Sequence, residues 1–159
     1  MATADVIDAK PETKTKIRRI EVRRFSRPDL DRCGPWLLPR LVLSFPQQNE
    51  RQIASWISSL LHSNEFLFVC SDNAVGLAQL QRADIFQVET IVVERFVFAA
   101  TNQPAHIEEA AEMYVRFADW AKHHGARFVQ VMEQTDVPAD TVKDKVGRIV
   151  NKTLVFARV

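Results

Sequence analysis

"FVFAATNQPAHIEEAAEMYVRFADWAKHHGA", Phe96 to Ala126, decides how this chain is read. Its first residues are apolar on both faces, as in a central strand. From 106 to 124, Ile107, Ala110, Ala111, Tyr114, Phe117, Ala118 and Ala121 recur at helical spacing. Glutamates 108, 109 and 112 sit near the start of that helix, and Lys122, His123 and His124 near its end, as the helix dipole favours. Gly125 is the expected glycine just past the last turn. A strand, a short loop and a helix in this order often place a phosphate-bearing group at the helix start. Yet the loop, Thr101-Asn102-Gln103-Pro104-Ala105, contains no glycine.

Upstream, "QVETIVVERFVFAA" predicts a long strand over 87–100, in which Glu89, Glu94 and Arg95 stand out as charges. "EFLFVCS" and "AVGLAQLQRA" flank Asp72-Asn73 and predict a hairpin. Asn49 with Gln52 three residues later predicts a capping box. Ile53, Trp56, Ile57, Leu60 and Leu61 form one apolar stripe behind it. Ser26-Arg27-Pro28-Asp29 starts a helical stretch, and Pro35 and Pro39 are expected to break it into short pieces. "KIRRIEVRRF" alternates as a strand, and its arginines 18, 19, 23 and 24 form a basic cluster read as a solvated edge or face rather than a phosphate contact. Downstream come the strand "RFVQVME", the short helix "ADTVKDKVG" and a last strand in "RIVNKTLVFARV". The order is strand, two helices, three antiparallel strands, helix, strand, helix, strand. It predicts a mixed α/β sheet with a parallel crossover over 87–133.

The 159 residues suffice for one domain with a sizeable core. Residues 1–16 read as a flexible arm and 17–159 as the domain. With 21 Lys+Arg against 20 Asp+Glu, nothing in the charge balance indicates nucleic acid or a membrane surface. Cys33 and Cys70 lack metal-type spacing and are expected reduced, in a cytoplasmic setting. His123-His124 has no third ligand, so no metal site is expected. No apolar run reaches membrane-spanning length, and the N-terminus lacks an apolar signal core.

The strand "ETIVVERFVFAA", the helix "IEEAAEMYVRFADWAKHHGA" and the strand "RFVQVMEQTD" together resemble the acetyl-CoA-carrying unit of the Gcn5-related N-acetyltransferase (GNAT) superfamily. The resemblance covers about residues 17–159. It implies a GNAT-like α/β fold, a mostly antiparallel sheet whose parallel pair splays in a V. If acetyl-CoA binds, it implies contacts at Phe98, Ala99, Ala100, Asn102, Gln103, Ala105, His106 and Ile107, with the pantetheine arm paired along 96–100. Family members commonly use a glutamate on or near the fourth strand as base, which makes Glu94 and Glu89 the candidates. They also use a tyrosine after the fifth strand as acid.

This chain departs from the family at the functional place. The pattern Arg/Gln-x-x-Gly-x-Gly/Ala is replaced by "TNQPAHIEEA". Pro104 has no amide to donate, Glu108 and Glu109 put negative charge near the phosphate position, and Asn102 or Thr101 is expected to cap the helix. The sole tyrosine, Tyr114, falls in the apolar stripe and reads as core, and Glu133 and Asp136 replace it as acids only if burial raises them. Two functions stay open. One is a GNAT-like protein without acetyl transfer and with no cofactor, a structural or partner-binding module contacting a protein or a second copy, with arm 1–16 as one route. Degenerate versions of the fold in phages make a virion or phage-accessory role its specific form. The other is an acetyl-CoA-dependent N-acyltransferase acting on an amine.

Overall fold

The computed structural model describes residues 19–82, 90–126, 128–131, 134–146 and 155–158. The elements are β1 (Arg23–Arg24), α1 (Arg27–Ser44), α2 (Glu50–Leu60), β2 (Phe66–Cys70), β3 (Ala74–Arg82), β4 (Thr90–Ala99), α3 (Pro104–His123), β5 (Phe128–Val131), α4 (Ala139–Val146) and β6 (Val155–Arg158). They follow the order expected from the sequence. The strands form one mixed sheet in the order β1-β2-β3-β4-β5-β6, antiparallel throughout except for the β4–β5 pair. Glu89, Glu133, the arm 1–16 and Gly147 lie outside the described residues. No described helix is long and apolar enough to cross a membrane.

Each face of the sheet carries its own core. Leu67, Val69, Ala74 and Ala78 pack with Met113, Tyr114, Phe117 and Ala121 of α3. Phe68, Cys70, Val75, Leu77, Phe96 and Phe98 pack with Cys33, Leu37 and Leu41 of α1 and Ile53, Ile57 and Leu60 of α2. β4 serves both cores by alternation, and its phase changes partway. Leu77 pairs with Phe96 but Ala78 pairs with Glu94, so Arg95 is the extra residue of a β-bulge. Before it, Val92 and Glu94 face α3. After it, Val97 and Ala99 do. The run that looks apolar on both sides is a strand with one residue inserted.

Three local expectations change. The first strand shrinks to Arg23–Arg24, paired with Cys70 and Val69. Continuing that register, Val22 and Glu21 would fall opposite the β2–β3 turn, where no strand is left to pair with. Pro35 and Pro39 do not break the first helix, which runs unbroken from Arg27 to Ser44. Both prolines are exposed, as is Asp31, so their stripe faces water, while Cys33, Leu37 and Leu41 face the core. Water satisfies carbonyls that lose a partner on that side. Trp56 is 37% exposed and leaves the apolar stripe to Ile53, Ile57, Leu60 and the half-buried Leu61.

Several expectations hold. Asn49 and Gln52 bond reciprocally, at 2.9 Å each way, and cap α2. Gly125 adopts φ 73°, the left-handed conformation that ends α3. The hairpin turns through Ser71–Asn73.

The start of α1 depends on one carboxylate. Asp29 accepts from the Ser26 amide (2.8 Å), the Ser26 hydroxyl (2.8 Å), Arg23 Nη2 (2.6 Å) and Arg32 Nη2 (3.2 Å), and only 4% of it is exposed. Burial works to raise its pKa, but the bonds from Ser26, Arg32 and Arg23 outweigh that and hold it at about 2. A carboxyl held below its ordinary value stabilises the fold above that value, and the contribution is lost as pH falls toward 2. Asp29→Ala is therefore expected to cost about 2 kcal/mol at neutral pH. Denaturant titrations of both proteins should show the difference shrinking as the pH approaches 2. A difference independent of pH would show that the carboxylate's charge does not matter.

Candidate functional site

The junction of β4 and α3 is the place to build the site, because the pairing of β4 with β5 ends short of it. Val92 and Val93 pair with Val129 and Gln130. Beyond them no pairing of β4 with β5 is described until the chain meets β4 again. The segment after β5 returns to β4, and Thr135 bridges Val97. The Val97 amide donates to Gln134 O (3.1 Å) and the Asp136 amide to Val97 O (3.0 Å). The Ala99 amide donates to Asp136 Oδ2 (2.8 Å), and Arg40 Nη1 to Ala99 O (3.1 Å). The Ala100 amide donates to Asn73 O (2.8 Å). Every outward main-chain group of Val97 and Ala99 is thus engaged from within the chain.

Arg40 secures that closure. Its guanidinium pairs with both carboxylate oxygens of Asp136, Nη2 to Oδ1 at 2.6 Å and Nη1 to Oδ2. It also lies 4.1 Å from the centre of the Phe98 ring. Phe98 itself is buried and stacks on Phe96 at 5.1 Å. A cavity of about 230 Å³ opens beside the pair, lined by Arg40, Ala99, Ala100, Thr101, Asn102, Ile107 and Asp136.

At the helix start the N-cap is Gln103, not Asn102 or Thr101. Pro104 fixes the first helical residue and so the cap position before it. Thr101 Oγ1 accepts the Gln103 amide (3.2 Å) and meets His106 Nδ1 (2.7 Å). The amides of His106 and Ile107 both donate to Gln103 O at 3.0 Å. Ala105 keeps the first-turn amide that has no backbone acceptor. Glu108 is exposed. Glu109 turns away from the helix start and clamps the β2–β3 hairpin. Its Oε1 accepts from Ser71 Oγ (2.7 Å) and the Asn73 amide (3.0 Å), and its Oε2 from Asn73 Nδ2 (3.0 Å). Burial pushes its pKa up, but these bonds prevail and hold it below the usual range.

Glu94 lies beneath the gap, fully buried. The Tyr114 hydroxyl donates to Glu94 Oε1 and sits 2.7 Å from Thr135 Oγ1. Burial first, and then the charge of Glu94, push the Tyr114 pKa well above its ordinary value. Tyr114 is core, as its place in the stripe predicts, and it also ties β4 to the returning segment. The sequence reading gives Arg40 and Thr135 no role and weighs Asp136 only as an acid. Arg40 did carry a signal, as the only charge in the apolar run "PWLLPRLVLSFP". Among the described residues no group of His, Cys, Asp and Glu could hold a metal ion.

No family model and no curated protein matches this sequence. Solved structures do resemble the fold. The aminoglycoside 6'-N-acetyltransferase AAC(6')-Ih from Acinetobacter baumannii superposes at TM-score 0.57 with 14% identity, over 85% of this chain and 97% of that one. The enzyme AAC(6')-Ig from Acinetobacter haemolyticus gives 0.55 and 16%, over 84% and 93%. The enzyme AAC(6')-Iy, solved with CoA, gives 0.52 and 12%, over 87% and 97%. The chain has the GNAT fold.

Proposed function

We propose that this protein is a GNAT-fold chain that no longer transfers acetyl groups and serves as a structural or partner-binding module. One observation carries the proposal: segment 134–136 occupies the main-chain edge of β4 along which a pantetheine arm would pair. A cofactor entering there has to replace hydrogen bonds the chain already makes. Such an exchange gains little, because each bond is worth only about 0.5–1.5 kcal/mol net even when newly formed.

The helix start offers little in compensation. A pyrophosphate cradle needs several convergent amides. From Gln103 to Ile107, Pro104 has none, the Gln103, His106 and Ile107 amides are engaged, and Ala105 supplies one. A helix terminus contributes about 0.3–1 kcal/mol to an exposed charge, against about 8 kcal/mol for micromolar binding. The residues present do not fit acetyl-CoA. Glu94, the described candidate base, is sealed beneath Tyr114 and Thr135, whereas a general base must reach its proton directly or through one water.

A second reading, an acetyl-CoA-dependent N-acyltransferase acting on an amine, is favoured by the cavity at Thr101, Asn102 and Ile107. It requires segment 134–136 to leave β4. The experiment is a transfer assay with acetyl-CoA over a panel of amines, run on the wild type and on Glu94→Gln. No turnover is expected. Turnover that the substitution abolishes would restore the enzyme. In its narrower form the proposed module is a phage virion or phage-accessory protein, with the arm 1–16 or a second copy as contact. Mass spectrometry of purified particles should then find the chain, and its absence from them would exclude the virion role.

A further inference from the structure

We infer that Arg40 and the Ala99 amide form a binding site for an organic carboxylate, and that Asp136 fills this site in cis. The donors are placed independently of their occupant. The Arg40 guanidinium is fixed by Ala99 O at 3.1 Å and by the Phe98 ring at 4.1 Å. The Ala99 amide belongs to a strand held from its other side by β3, where Ala74 is its partner. A planar fork and one amide match the two oxygens of a carboxylate, which is the geometry Asp136 adopts.

The occupant lies outside the regular elements that carry its site. Asp136 lies between β5 and α4, outside both elements, and its side chain is 24% exposed. The ion pair is partly open to solvent, with the Arg40 side chain 36% exposed. The cavity of about 230 Å³ alongside gives a small carboxylate a way in, past Thr101 and Asn102. Exchange has a structural consequence, because Asp136 is the side chain that holds the returning segment to Ala99. A ligand carboxylate in its place frees the Asp136 side chain from Ala99, while the main-chain bonds to Val97 keep the segment on β4. Occupancy of the site by a ligand and the Asp136 contact with the Ala99 amide therefore exclude one another.

Being tethered, Asp136 competes at a high effective concentration, so free acetate does not displace it. Removing the side chain exposes the site. The experiment follows thermal unfolding of the full chain, of Asp136→Ala and of Arg40→Ala/Asp136→Ala, in sodium acetate and in sodium chloride of equal ionic strength. The wild type should respond alike to both salts. Asp136→Ala should melt lower, and acetate alone should restore much of the lost melting temperature, with saturation. The double variant should show no rescue. Equal effects of acetate and chloride on Asp136→Ala, or rescue that survives loss of Arg40, would overturn the assignment. If Asp136→Ala does not melt cooperatively, Asp136→Ser takes its place, with hydrogen exchange at the Ala99 amide as readout. Acetate-specific protection supports the site, and its absence overturns it. No acetyl-CoA enters the experiment, so its outcome is separate from that of the proposed loss of transfer.

Discussion

Tyr114→Ala should destabilise the protein by about 3–5 kcal/mol, the usual cost of truncating a fully buried large aromatic side chain. The ring is buried among α3 and the sheet and meets Phe117 edge-on at 5.8 Å. Its loss leaves a cavity and also removes the hydroxyl that Glu94 and Thr135 share. Tyr114→Phe separates the two effects. It keeps the ring and should cost about 1–3 kcal/mol, the penalty for a buried polar group that loses its partner. For a chain of this size, each kcal/mol moves the melting temperature by about 2–4 °C. If Tyr114→Ala changed stability by less than Tyr114→Phe is expected to, the ring would not be core and the phase assigned to α3 would be wrong.

Gly76→Ala should also be costly, at about 1–3 kcal/mol. A Cβ on Gly76 would lie 2.9 Å from Phe117 Cζ and 3.0 Å from Met113 Cβ. The Met113 atom is fixed to the helix backbone, so relief requires α3 to lift from β3. The denaturant midpoint should fall with little change in the slope of the transition. An unchanged midpoint would mean that α3 and the sheet have room to spare there. A glycine inside a strand often marks such a close approach, and "AVGLAQLQRA" displays it openly.

What the sequence makes legible is what neighbouring residues decide. The apolar repeat from Ile107 to Ala121, ended by Gly125, locates α3. Asn49 with Gln52 locates the start of α2, and Asp72-Asn73 the hairpin. The course of α1 through Pro35 and Pro39 is not local in this sense. It depends on which side of the helix meets the core, and that is settled by packing against α2 and the sheet. The bulge at Arg95 is hidden for a similar reason, since a strand buried on both faces shows no alternation for an inserted residue to interrupt.

The candidate site was legible only in its negative half. The missing glycines and Pro104 can be read directly. That Glu109 serves the hairpin rather than the helix start cannot, because its partners lie 36 and 38 residues away. Arg40 and Asp136 are 96 residues apart. No spacing rule links them, and their pairing follows from the fold as a whole.

The chain has the GNAT fold, and on the proposal its own segment 134–136 fills the cofactor's place. Calorimetric titration of acetyl-CoA into the protein decides between a filled and an open site. The closed groove predicts no binding heat, and no rise in melting temperature, at millimolar cofactor. A micromolar dissociation constant would contradict it, with the native state stabilised by about 2.7 kcal/mol at one hundred times that concentration.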